Sequence, residues 1–347
     1  MKVAVAIPDV PFVEGGHLVI ARELVRSLRL YGHEAELVFT PMNPLGKVLL
    51  AYGATAAIDL RHDGNGRPID RVVSFRYPTF VLNHPGHTLW LCHRLREYYD
   101  LWEEFQAPLP TYTALAKERL RRLLVHGWDK RAFKRLGNRV FTISDTVGAR
   151  LTRWGGHPWQ TLYPPAPERA YRTEGYEKSI FAVSRLVSHK RVGWVIEALP
   201  YMENKDVRVR IAGEGPEEEK IRARVQELGL TDRVTLLGRV DEEGLIREYS
   251  RCGLVFFAPL KEDYGFVTVE AFKSRKAVIT TDDSGGAQEL VGKSGAGIVT
   301  PPDSRETAKA LDRIFSTPSE LERLGEIGLR WAEENLSWER AVKVLVS

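Results

Sequence analysis

The sequence predicts an α/β protein of two doubly wound domains facing each other. Three observations predict it. The chain opens with a βαβ pattern, it breaks at a proline-rich segment near its middle, and a strand–helix alternation then restarts and runs through six repeats. At about 100–200 residues per domain, 347 residues accommodate two domains.

The elements follow in order. Val3–Ile7 reads as a buried strand, the pair Gly15-Gly16 as a turn, and Leu18, Ala21, Leu24, Val25 and Leu28 as one apolar helix face that stops near Gly32. Glu36–Phe39 reads as the next strand, and Arg71–Phe75, Phe80–Leu82, Thr88–Leu91 and Arg139–Ile143 as further strands. Residues 41–70, rich in Gly, Pro and Asp, fit no element. Leu162-Tyr163-Pro164-Pro165-Ala166-Pro167 is the expected boundary, because prolines exclude helix and stiffen the chain. It divides residues 1–165 from 166–335, with a last helix at 336–347 that is expected to pack back on the first domain.

Beyond the break, strands are expected at Ile180–Ser184, Val207–Ala212, Val234–Leu237, Leu254–Ala258, Ala277–Thr281 and Gly297–Thr300. Helices are expected at Arg191–Tyr201, Pro216–Leu228, Glu242–Ser250, Phe266–Lys273 and from Gly286–Val291. The last 45 residues read as helical, with Trp331 and Trp338 as apolar anchors. Ligands of open α/β sheets sit beyond the carboxyl ends of the strands, so the cleft between the domains is the expected site.

Composition excludes several classes. Cys92 and Cys252 are far apart and lack C-x-x-C or His-rich context, so neither a disulfide framework nor a zinc site is expected. No apolar run reaches the length of a transmembrane helix, and the opening segment lacks the features of a secretory signal, which fits a cytoplasmic location. The net charge of +4 conceals an asymmetry: residues 1–165 carry 22 Lys and Arg against 15 Asp and Glu. Most of that excess lies in 117–139, around Arg119, Arg121, Arg122, Lys130, Arg131, Lys134, Arg135 and Arg139. Two readings stand: a contact with anionic lipid at the inner face of a membrane or with an anionic acceptor, and an ordinary solvated helix face. No nucleic-acid partner is expected.

Four local features carry chemistry. In Glu262-Asp263-Tyr264-Gly265-Phe266-Val267-Thr268-Val269-Glu270, Gly265 permits a tight turn, and the amides of Phe266 and Val267 at a helix start suit a phosphate. Glu262 and Glu270 can then face different parts of one extended ligand, such as a sugar and a ribose. In Ser184-Arg185-Leu186-Val187-Ser188-His189-Lys190-Arg191, two cations, Arg185 and Lys190, follow a strand end, where they would neutralise a departing pyrophosphate. Gly15-Gly16 after the first strand is half of a phosphate-binding loop and lacks the full G-x-G-x-x-G, so no nicotinamide cofactor is indicated. His93 ends an apolar strand-like run. Each feature taken singly is also compatible with a plain turn, surface charge or a structural histidine.

Together they resemble glycosyltransferase family 4, retaining enzymes of the GT-B fold. The resemblance rests on EDYGFVTVE (an E-x7-E motif), SRLVSHK and VEGGHLVIARELVRSLRLYGHE, with weaker echoes in WLCHRLREYYDLW, LYPPA, FTISDTVGARL and SGGAQELV. It covers nearly the whole chain, with the best spacing in 179–300.

The resemblance implies two Rossmann-like domains with a deep cleft, the first for the acceptor and the second for the nucleotide-sugar donor. It implies that Arg185 and Lys190 hold the donor diphosphate and that Glu270 bonds the ribose hydroxyls. By the same resemblance Glu262 would face the transferred sugar, and the amides of Gly265, Phe266 and Val267 would touch sugar or phosphate. Gly15 and Gly16 approach the donor phosphates, and His93 lines the reaction centre. It implies no cofactor and no metal, since cations take the place of Mg²⁺, and a UDP- or GDP-sugar as substrate with a sugar, glycolipid or other small molecule as acceptor. The family often has proline where this chain has Ala287-Gln288, and residues 41–70 match nothing in it. Readings from other classes are a non-catalytic nucleotide-sugar-binding module, a phosphorylase of the same fold, for which no pyridoxal-phosphate lysine stands out, and a sugar-nucleotide epimerase of the same architecture.

Overall fold

The computed structural model describes residues 1–10 and 15–347; Val13 and Glu14, which open one of the family-like segments, lie outside the described residues. The chain divides into two compact units, Met1–Pro164 with Ser337–Ser347, and Pro165–Leu336. Among the described residues each unit holds one six-stranded sheet, and every strand pair in both is parallel.

The first unit runs β1 (Lys2–Pro8), α1 (Gly16–Leu30), β2 (Glu34–Thr40), α2 (Val48–Ala56), β3 (Arg71–Arg76), β4 (His87–His93), α3 (Trp102–Gln106), α4 (Tyr112–Leu136), β5 (Val140–Thr142), α5 (Asp145–Arg153) and β6 (Gln160–Thr161). Its sheet order is β2-β1-β3-β4-β5-β6. The inner strands β1, β3 and β4 carry the buried apolar residues, with Val5, Ile7, Val73 and Leu89 fully buried, as strands covered on both faces require. Trp90 fixes the carboxyl edge of this core by donating its indole N–H to the Leu162 carbonyl at 2.7 Å.

The second unit runs β7 (Ser179–Val183), α6 (Trp194–Ala198), β8 (Arg208–Ala212), α7 (Glu218–Glu227), β9 (Val234–Gly238), α8 (Glu242–Arg251), β10 (Leu254–Phe256), α9 (Phe266–Lys273), β11 (Ala277–Thr281), α10 (Gly286–Ser294), β12 (Gly297–Thr300), α11 (Ser304–Phe315) and α12 (Pro318–Asn335). Its order is β12-β11-β10-β7-β8-β9. Its first strand therefore lies beside its fourth, and the loops after β7 and β10 leave the sheet in opposite directions. That is the switch point at which open α/β sheets bind ligands. The final helix, α13 (Trp338–Val346), belongs to the first unit and packs on α1 and β4. Its Trp338 is buried edge-on against Trp90, with ring centroids 6.2 Å apart, and Trp331 of α12 meets Phe272 in the same way.

The strands and helices expected from the alternation are present, with three differences. Phe80–Leu82 is no strand: Thr79–Val81 forms a 3₁₀ turn after Pro78, and the Val81 and Leu82 carbonyls accept from Arg135 Nη2 at 2.9 and 2.8 Å instead of from a neighbouring strand. A short buried apolar run has the same appearance in either state. Arg191–Tyr201 is not one helix. Arg191 takes a left-handed φ of 44°, so α6 begins only at Trp194, and 3₁₀ turns flank it at Ser188–Lys190 and Leu199–Tyr201. The unplaced stretch 41–70 contains α2 and a loop closed by the bridge His62–Pro68, which Asp63 fastens to Lys2.

Trp338→Ala removes the anchor of α13. It is expected to destabilise the first unit by about 3–5 kcal/mol, the usual cost of deleting a buried aromatic ring. Site-resolved hydrogen exchange should show protection lost in α1, β4 and α13 and kept in the second sheet.

Candidate functional site

The switch point of the second unit gathers six of the residues singled out from sequence. The loop after β7 carries Arg185 and Lys190, and the loop after β10 carries Glu262 and leads to Gly265 at the start of α9. Lys190 Nζ donates to Glu262 Oε2 at 2.5 Å, with both side chains mostly buried. Arg185 is exposed, at the start of the same loop. Gly265 has φ of 96°, and a Cβ there would lie 2.9 Å from the Phe257 ring. This left-handed turn starts α9 sharply, with Phe266 and Val267 as its first residues, whose N–H groups precede the intrahelical ladder.

Arg191, which the sequence reasoning passed over, holds these loops in place. Its Nε donates to the Ala258 carbonyl at 2.8 Å, and its Nη2 to the Pro259 carbonyl at 3.2 Å. The same guanidinium grips Asp283 through Nη1 at 2.8 Å and Nη2 at 2.6 Å, and reaches Thr281 Oγ1 at 2.9 Å. One planar fork thus ties the ends of β7, β10 and β11 together, a use for which guanidinium is better shaped than ammonium. Backbone bonds complete the tie: Leu260 N–H donates to the His189 carbonyl at 2.7 Å and Lys261 N–H to the Asp283 carbonyl at 3.0 Å. Gly285, with φ of 64°, lets the loop after β11 lie against Glu262, whose carbonyl oxygen would be 2.4 Å from any Cβ there. The Glu262 carbonyl accepts from Gly286 N–H at 2.9 Å. A legible signal for Arg191 was its charge directly after Lys190, where a helix had been expected to begin.

Glu270 lies in a different environment. It is 7% exposed, and its carboxylate accepts from Arg169 Nη1, from the Tyr249 hydroxyl at 3.0 Å and from the Tyr171 hydroxyl at 3.5 Å. Burial pushes this carboxyl up, against the opposing pull of the Arg169 charge and the Tyr249 hydroxyl. Arg169, Tyr171 and Tyr249 were not singled out from sequence. They sit 101, 99 and 21 residues from Glu270, and no local pattern links them.

In the first unit, Gly15 caps α1, accepting from Leu18 N–H at 2.9 Å, and Gly16 is the first helical residue. His93 is half-buried at the carboxyl end of β4, opposite Arg76 across a register shift in the β3–β4 pairing. Its Nδ1 lies 2.7 Å from the Arg94 carbonyl, an oxygen that can only accept, so Nδ1 carries the hydrogen. The edge of the Tyr77 ring packs on it at 5.8 Å. Behind it Arg94 is buried, stacked 3.8 Å over Tyr99 and donating to the Trp154 carbonyl at 3.2 Å. Among the described residues no group of three or more His, Cys, Asp or Glu side chains is placed to hold a metal ion.

This geometry sits inside a recognisable relationship. Residues 168–331 match the family model for glycosyl transferases group 1, which covers most of the second unit. Over 150 residues the chain is 30% identical to an alpha-D-kanosaminyltransferase of Streptomyces kanamyceticus, a stretch covering 42% of this chain and 39% of that protein. The chain thus aligns with under half the length of this curated relative. The fold as a whole is similar to that of sucrose-phosphate synthase from Thermosynechococcus elongatus, at TM-score 0.73 and 19% identity, covering 99% of this chain and 97% of that one. It is also similar to Anabaena HepE in complex with UDP and glucose, at TM-score 0.65 and 16% identity over 99% and 97% of the two chains. The chain thus shares the fold of these structures, two Rossmann-like domains, and residues 168–331 in the second resemble the group 1 model.

Arg191→Ala is expected to destabilise the second unit by about 2–3 kcal/mol, less than a dry ion pair would cost because Asp283 keeps some water. The Arg191 guanidinium holds the Asp283 carboxyl below its usual range. A depressed carboxyl stabilises the fold above its unfolded value, about 3.9, and that contribution disappears as pH falls through the lower folded value. Denaturant titrations between pH 6 and about 2 should therefore show a steeper acid loss in the wild type than in Arg191→Ala. Parallel curves would remove Asp283 from this role.

Proposed function

We propose that the chain is a retaining glycosyltransferase that moves a hexosyl group from a UDP- or GDP-sugar to a hydroxyl of an acceptor, with no divalent metal and no cofactor. The observation that carries this reading is the Lys190–Glu262 pair at the switch point, beside the start of α9 and within the group 1 region. The relatives named above support the reaction class by their own activities, and the HepE complex supports a nucleoside diphosphate as the bound half of the donor.

The chemistry follows from the residue types. The bond from the anomeric carbon to the diphosphate oxygen breaks, and its electron pair leaves with the diphosphate. Lys190 and Arg185, with the amides of Phe266 and Val267, balance that charge, as fixed cations and helix-start dipoles do without reorganising. Glu262 faces the sugar as positive charge develops on it, and Gly265 lets the backbone come close to the donor. The acceptor oxygen bonds to the same face of the sugar, and its proton passes to the departing phosphate. Before the donor arrives, Lys190 and Glu262 neutralise each other. Diphosphate gives Lys190 a new anionic partner, and Glu262 is released toward the sugar.

Glu270 is assigned to the ribose. Two carboxylate oxygens offer about four acceptor sites. Arg169, Tyr249 and Tyr171 occupy three, which leaves one for a ribose hydroxyl, and the long Tyr171 contact is the next to yield. In the first unit, Gly15 and Gly16 are assigned to the donor phosphates and His93 to the reaction centre. The acceptor is a sugar, a glycolipid or another small molecule with a free hydroxyl.

Lys190→Ala should lower kcat about 10²–10³-fold, the usual cost of losing one such electrostatic contact. Glu262→Gln should impair turnover while leaving calorimetric affinity for UDP or GDP nearly intact. Glu270→Gln, which keeps its shape beside Arg169, should weaken nucleotide binding itself. Equal loss of nucleotide affinity in both variants would overturn the division of labour. Turnover, read as nucleoside diphosphate released, should persist in excess EDTA; strict dependence on Mg²⁺ or Mn²⁺ would overturn metal independence.

A further inference from the structure

Helix α4 runs for 25 residues, Tyr112–Leu136, with apolar side chains on both faces but its carboxylates on one and its free cations on the other. Inward it presents both of its carboxylates. Glu118 accepts from the Tyr98 hydroxyl at 2.6 Å, and Asp129 from the Tyr52 and Tyr99 hydroxyls at 2.9 and 2.6 Å. Three of its cations are also engaged, one within the helix and two on the body of the unit. Arg121 pairs with Glu118, Arg122 donates to the Tyr98 carbonyl, and Arg135 donates to Val81 and Leu82.

The outward face follows the helical spacing 112, 116, 119–120, 123–124, 127, 130–131, 134. Tyr112 is 92% exposed, Leu120 59%, Leu123 68% and Leu124 42%. Lys117, Arg119, Lys130, Arg131 and Lys134 are exposed alongside, and among the described residues none of them pairs with a carboxylate. This face therefore combines large apolar side chains, a row of cations and no acid. A solvated helix face is polar, and this one is not.

We propose that the outward face of α4 docks this protein, lying flat, on an anionic phospholipid surface. The occupant follows from charge complementarity. A second copy of the chain would set five cations against five, and a polyanion in water would satisfy the cations while leaving the leucines wet. The headgroup region of an anionic bilayer offers phosphate to the cations and acyl chain to Tyr112, Leu120, Leu123 and Leu124 at one depth. The long Lys and Arg stems reach from the apolar level to the phosphates. From 112 to 134 the helix is about 33 Å long, enough for all these side chains to engage at once. No helix among the described residues is long and apolar enough to cross a membrane, so the contact is with the surface. The proposal stands independently of the transfer reaction.

The test is co-sedimentation of the full chain with phosphatidylcholine vesicles, with and without about 30% phosphatidylglycerol, at low salt. Binding to the anionic vesicles, and at least tenfold weaker binding to pure phosphatidylcholine, is expected. Lys130→Ala/Lys134→Ala should weaken binding about 25-fold, from about fivefold per cation. Leu120→Ser/Leu123→Ser, changes at exposed positions that leave the core untouched, should weaken it at least tenfold. Failure to sediment with anionic vesicles, or equal binding to both, overturns the proposal. So does loss in the lysine variant with none in the leucine variant, which would mark a purely electrostatic contact. A lipid-free dimer in sedimentation velocity that the leucine variant dissolves would reassign the face to self-association and overturn it as well.

Discussion

The guanidinium of Arg191 is the constraint on which the loop geometry beyond the second sheet rests. A parallel sheet fixes its strands and leaves the loops beyond their carboxyl ends to find their own partners. Arg191 bonds the chain at 258, 259, 281 and 283, so the segments that follow β7, β10 and β11 cannot part without breaking several charge-assisted bonds at once. Lys190 is its neighbour in sequence, and Glu262 lies three residues beyond Pro259. Their pairing is a downstream result of that grip. The left-handed φ of Arg191 costs about 1–2 kcal/mol in a non-glycine residue, and the bonds its side chain makes offset it.

Charge in this region is arranged in matched pairs: Lys190 with Glu262, Arg191 with Asp283, Arg169 with Glu270. A concentration of cations is costly to assemble when part of it is withdrawn from water. Pairing removes that cost before any ligand is present. Under the function proposed above, it would also set the selectivity of the region, because an arriving anion must offer Lys190 more than Glu262 already does. On that proposal a diphosphate, with several oxygens at once, would meet that condition better than a single carboxylate.

Most of the architecture could be read from the chain, since the alternation after the Pro-rich break follows directly from apolar periodicity and glycine punctuation. Phe266–Lys273, Ala277–Thr281 and Gly297–Thr300 coincide with α9, β11 and β12. Errors fell where side chains override local pattern. Arg135 takes the carbonyls of Val81 and Leu82 and turns an apparent strand into a buried turn, and the left-handed Arg191 delays α6. That Glu262 and Lys190 would come together at the strand ends was legible because each stands in a compact motif there. Arg191, Asp283 and the cradle of Arg169, Tyr171 and Tyr249 were not, because they act across about 20 to 100 residues and only the fold brings them together. The outward face of α4 was half legible. Its cations were plain in the composition, but its leucines were masked by the apolar residues of the inward face.

The close seat of Gly285 against Glu262 bears on how this chain can change over evolutionary time. With the Glu262 carbonyl 2.4 Å from where any Cβ would stand, that loop admits no side chain at this point and little drift in its path. New ligand preferences at this loop must then arise by exchanging outward-facing side chains on an unaltered backbone, while the exposed loop 64–67 of the first unit carries no such lock and can be rebuilt. Divergence in such a lineage should be lopsided: slow and substitution-only around the second sheet, fast and rich in insertions near the first.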